Sequence, residues 1–173
     1  LGFNCLVKEE NDKTIEFLYS KPINKSKILN EKVIASLIAI IVFNLLFMIF
    51  NFIALTISDD MHYKMFFLLF TAPLFIDFII YFACLFFSTF FRNTRLTTSL
   101  AIVFVFIMYF LQIIGSLSED FEFIKNCSIF ELFSSREILL DETFKISSVF
   151  ISIGLIIVFY ILSLINYKRK EFL

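Results

Sequence analysis

The chain has 173 residues, 60% of them apolar and 18% charged, with a formal net charge of −1 at pH 7 and a mean hydropathy of +0.90. That apolar content exceeds what a water-soluble domain of this length carries, so a soluble enzyme or binding module is excluded and an all-α integral membrane protein is expected. The balanced charge leaves no basic face for nucleic acid, because the basic residues fall where they set membrane topology.

Taken in chain order, residues 1–7 are apolar but too short to cross a bilayer, and no initiator Met precedes them. They read as the end of a preceding transmembrane helix. Nothing there has the basic region and cleavage site of a signal peptide. Residues 8–32 form a charged segment interrupted by Pro22. Asn11 or Asp12 can cap a short helix whose Ile15, Leu18 and Tyr19 form one apolar stripe, fit to lie along a membrane surface or a partner. Pro22 disfavours helix at Lys21, so a turn is expected there. Asn24 or Ser26 can then cap a second helix with Lys25, Lys27 and Lys32 at its foot, which runs without a break into the next apolar stretch. The transmembrane domain is expected over 33–173.

Four runs are long enough to span: 33–57, 65–91, 96–117 and 149–167. Asn44 and Asn51, seven residues apart, share a face of the first, and Gln112 lies in the third. Such amides join helices more often than they hold ligands. Asp77 sits near the middle of the second run, where a charge costs about 2.5–3.5 kcal/mol on insertion scales. It must face protein or water, either as a contact in a translocation pathway or as a hydrogen-bonded packing residue. Pro73, one turn earlier, is expected to kink that helix.

The segment 118–148 is too patterned for a plain loop. Ser134-Ser135-Arg136-Glu137 has capping-box spacing before Ile138, Leu139 and Leu140, which predicts a short amphipathic helix. Phe121, Phe123, Ile129, Phe130, Leu132 and Phe133 would let this segment lie on the membrane surface or cover a pore mouth. Basic residues orient the whole: eleven of the fifteen fall in 8–32, 92–95 and the tail 168–173. Those segments are expected to be cytoplasmic, and 58–64 and 118–148 to lie outside.

Chemistry is sparse. None of the three Gly belongs to a GxxxxGK[ST] loop, so ATP has no Walker site here. The single His, His62, cannot make a paired-His metal centre, and one buried Asp cannot make a two-aspartate protease. Cys5, Cys84 and Cys127 have no spacing that suggests a disulfide framework or zinc. No catalytic, cofactor or metal residues are assigned. The 27 Phe, without a single Trp, occur in a chain also rich in Ile, Asn and Lys, which points to a biased genome and not to an aromatic substrate path.

The run TIEFLYSKPINKSKILNEK at 14–32 resembles the cytoplasmic connector of ABC-2 type transporter permeases, in which an acidic residue, a short helix, a Ser-x-Pro turn and a basic residue open the next span. The likeness continues in order through the turn RNTR, a further span, the segment IFELFSSREILL, a last span and the basic tail YKRKEFL. It implies a permease subunit of an ABC transporter in a cytoplasmic, bacterial-type plasma membrane, with six spans in all. The chain would hold the end of the second and the whole of the third to sixth. The resemblance further implies a second permease subunit, separate cytoplasmic ATPase subunits, no cofactor of its own, and export. Glu16, Phe17, Leu18 and Pro22 would then make the ATPase coupling contact, and Asp77, Asn44, Asn51 and Gln112 are candidates for the pathway. The competing reading is a non-transporting membrane protein, such as an immunity or regulatory factor. An intramembrane enzyme is disfavoured by the missing second acid and His pair.

Overall fold

The computed structural model describes residues 25–57, 63–91, 94–117 and 122–169, and everything in those stretches is helix, turn or short connection. The expected coupling helix around 14–20 lies outside them. Four long helices form the bundle: α1 (Lys25–Thr56), α2 (Tyr63–Phe90), α3 (Thr94–Leu117) and, after three short elements, α6 (Ile146–Arg169). Each is long and apolar enough to cross a membrane.

α1 runs for 32 residues without Gly or Pro, about 48 Å at 1.5 Å per residue. It already includes Lys25 and Ser26, so Ser26 lies inside the first turn and is not its cap. α2 passes through Pro73 unbroken as a helix, although the missing N–H leaves one backbone carbonyl, that of Leu69, without its usual donor. α6 begins at Ile146, three residues before the apolar run alone suggested, and ends with Lys168 and Arg169 against its negative dipole end.

α1 and α2 are antiparallel, with Phe47 against Phe70 and Phe52 against Phe66. α6 runs parallel to α2, with Val149 packed on the cluster that holds Ala72 and Phe159 near Phe86. The end holding Lys25, Phe90 and Arg169 is here the foot of the bundle, and the end holding Thr56, Tyr63 and Leu117 its head. At the foot, Leu29 and Val33 of α1, Tyr81, Phe82 and Leu85 of α2 and Tyr167 of α6 make one buried cluster. A second cluster, nearer the head, joins Ala72 of α2 to Phe133 and Ile138 of the connection between α3 and α6.

That connection holds α4 (Glu122–Asn126), a 3-10 turn (Ile129–Phe133) and α5 (Ser135–Asp141). A short helix is present where the capping-box spacing led one to expect it, with Ser134 at its N-cap position and Ile138 buried but Leu139 and Leu140 exposed. The Ser134 hydroxyl makes no capping bond, and the Ser134 backbone N–H closes the preceding 3-10 turn by donating to the Glu131 carbonyl. The segment does not lie flat. Phe123 is 80% exposed, but Ile129 and Phe133 are buried inside the bundle, where Phe133 stacks on Phe75 with ring centroids 5.1 Å apart. Phe130 and Leu132 are half-buried, and Phe121 lies outside the described residues. Aromatic rings therefore turn inward here because α2 offers a ring of its own to receive them.

Candidate functional site

Asp77 lies 14 residues from the start of α2 and 13 from its end, at the midpoint of the helix. Its Oδ2 accepts a hydrogen bond of 2.8 Å from Asn44 Nδ2, contributed by α1. The same amide nitrogen donates to the Ile40 carbonyl of its own helix at 3.1 Å. Both donor hydrogens of Asn44 are thereby used, while Asp77 keeps acceptor capacity on Oδ1. Both residues are partly buried, as an acid within an apolar span requires.

The other two polar candidates are not drawn into this pair. Asn51 turns back on its own helix and donates to the Phe47 carbonyl at 2.8 Å. Gln112, partly buried on α3, has no hydrogen-bond partner among the described residues. Glu16, Phe17, Leu18 and Pro22 lie outside the described residues. What the structure adds is the foot of the helix that follows them. Leu29 is fully buried, and Asn30 Oδ1 accepts a 2.9 Å hydrogen bond from the Tyr160 hydroxyl of α6. Neither contact was foreseen, and only the change from charged to apolar residues between Lys27 and Val33 hinted at it.

Contacts between the spans favour small side chains. Ala83, Ser88, Thr97, Ser152 and Ser163 are buried to 3% or less exposure, and the Ser88 and Ser152 hydroxyls donate to carbonyls of their own helices. Small residues let helix backbones approach closely where lipid gives no hydrophobic drive for association. Cys84 and Cys127 are free thiols. Among the described residues no three His, Cys, Asp or Glu side chains converge as metal ligands would.

Four apolar helices, one acid held at mid-depth by an amide, and a foot rich in cations define a multi-pass helical membrane protein. The chain belongs to the ABC-2 family transporter proteins, whose family pattern it matches over residues 1–172. It is therefore a membrane component of a transporter. No curated protein and no solved structure matches it.

Proposed function

We propose that this chain is the permease subunit of an ABC transporter that works by export, with its tail cytoplasmic in a bacterial plasma membrane. ATP is hydrolysed by a separate subunit, and a second permease completes the pathway. In this reading 8–32 is the coupling segment and Glu16, Phe17, Leu18 and Pro22 meet the ATPase. The observation that carries the proposal, beyond family membership, is the continuity of α1. One unbroken helix starts immediately after the segment 8–24, is gripped at its foot by α2 and α6, and holds Asp77 through Asn44 half-way up.

A helix of this kind transmits displacement, because its backbone hydrogen bonds are all internal and its foot is packed against α2 and α6. Closure of an ATPase pair against the coupling segment would move α1, α2 and α6 as one body. α3, in contact with the others over a smaller surface, would be left to shift against them. Asp77, with its free carboxylate oxygen, is then placed to meet cargo or to register α1 on α2.

Affinity purification of the full-length protein in mild detergent tests this. Recovery of a Walker-motif ATPase, lost on Leu18→Asp, is the expected result. A preparation free of any ATPase would favour a non-transporting regulatory or immunity protein.

A further inference from the structure

The apolar runs 33–57, 65–91, 96–117 and 149–167 contain one acid and no base: among Asp, Glu, Lys, Arg and His, only Asp77 occurs in them. Along α2 the nearest cation toward the head is Lys64, 13 residues or about 20 Å away, and it pairs with Glu142. On α1, Lys32 lies 12 residues from Asn44, about 18 Å toward the foot. Lys125 and Lys145, in the connection between α3 and α6, pair with Glu131 and Glu137. Among the described residues Asp77 therefore meets an amide and no positive charge, although an acid at this depth needs a partner.

The pair also leaves acceptors unused on both helices. Asn44 spends its two amide hydrogens on Asp77 Oδ2 and the Ile40 carbonyl. Asp77 Oδ1 and Asn44 Oδ1 accept nothing among the described residues, and neither is sealed in as Glu131 Oε2 and Ser163 Oγ are. Pro73, four residues before Asp77 and so on the same face of α2, leaves the Leu69 carbonyl without its usual donor. A helical side chain leans back over the turn before its own Cα, which for Asp77 is the turn of Pro73. Everything open at this level accepts, and nothing donates. One carboxylate is too little charge for a divalent ion, which takes six or more oxygen ligands. An ammonium suits the set better, with one positive charge and three N–H donors for three acceptors.

We propose that the Asp77–Asn44 pair is one side of a binding site for a small amphiphilic primary amine, whose ammonium group supplies the missing positive charge at mid-depth. As a cargo site it rests on the permease reading above; as a binding site it does not. The amide holds one carboxylate oxygen and thereby presents the other. The neighbouring layers of the seam are apolar, Phe47 and Phe70 toward the head and Ile40 and Tyr81 toward the foot, so the rest of the molecule must be apolar too. A neutral head group gains little here, because it leaves the carboxylate without a counter-charge.

Ligand binding to the full-length protein in non-ionic detergent tests this with no ATPase and no transport, so its failure is distinguishable from failure of the permease reading. The probe is dansylcadaverine, a primary ammonium on an apolar fluorophore. Its N-acetyl derivative removes the charge, and its trimethylammonium analogue keeps the charge without N–H donors. Fluorescence titration should show saturable binding of the primary amine, weakened at least roughly tenfold by acetylation and by Asp77→Asn, and to a smaller degree by trimethylation. Asp77→Asn keeps an acceptor for Asn44, and the comparison of the three probes on the unmodified protein stands even if that variant fails to fold. No saturable binding, or equal affinity for the acetylated probe, would overturn the site. Unchanged affinity in folded Asp77→Asn protein would overturn the role of Asp77. Equal affinity for the trimethylated probe would overturn the assignment to an N–H donor. Should a second copy of the chain supply the partner instead, Asp77→Asn would separate the copies and leave probe binding unchanged, which also contradicts the proposal.

Discussion

α2 and α3 are neighbours of similar hydropathy, yet 39% of the most apolar stretch of α2 is buried and only 11% of that of α3. Hydropathy reports that a helix can enter a membrane, not what it touches there. α2 carries Ala72, Ala83, Cys84, Ser88 and Thr89 on buried positions, with Asp77 at its centre. α3 presents Ile102, Val103, Phe106, Ile107 and Phe110 outward, a surface suited to lipid or to other helices. On α2 these small and polar residues share the buried side with Phe66, Ile79, Tyr81, Phe82 and Leu85, so what separates the two helices is how much of each its neighbours cover.

The strongest way to break that contrast is to truncate matching side chains on the two helices. Leu85→Ala empties a site with 0% exposure and should cost about 2–4 kcal/mol. Ile107→Ala, at 50% exposure, should cost under about 1 kcal/mol. Thermal midpoints in detergent decide, and equal losses would contradict the contrast. Gly115 is among the buried positions of α3, because α4 rests on it. Gly115→Ala should destabilise by about 1–3 kcal/mol through overpacking against Lys125, read in the same melts.

A smaller effect separates the polar residues. Asp77→Leu removes the link to Asn44 and should cost about 1–2 kcal/mol, whereas Asp77→Asn, which keeps an acceptor, should cost less and Gln112→Leu almost nothing. Smallest of all are the exposed ion pairs of the re-entrant segment. Lys64→Ala, which removes the partner of Glu142, should change stability by less than about 1 kcal/mol. The Lys145 ammonium is held above the ordinary lysine range by its hydrogen bond to Glu137, against desolvation and with help from the Glu137, Asp141 and Glu131 charges. Its contribution is therefore fully present around neutral pH and fades only as pH rises through the raised value. Circular dichroism should show no change attributable to this group near neutrality.

The four spans were legible because uninterrupted apolar length is a local signal, and so was the helix at Ser135, because a cap and a hydrophobic turn are adjacent in sequence. The partner of Asp77 was not legible. Asn44 is 33 residues away, and which of several amides reaches the acid depends on the rotation of two helices about their axes. The inward path of the re-entrant segment was missed for a related reason. Amphipathic patterning says that one face is apolar, but not whether lipid or protein covers it. Two signals were there to find: a lone acid, Glu131, inside the apolar run IFELF, and a glycine at 115 in a chain that has only three.

The central claim is that α1, α2 and α6 move as one body while α3 shifts against them. Spin labels at three exposed foot positions, Lys27 on α1, Ser99 on α3 and Lys168 on α6, give the two distances that test it in the permease bound to its ATPase. On addition of ATP, the separation of 27 and 168 should stay constant while that of 27 and 99 changes. A change between 27 and 168, or no change in either distance, would contradict the account.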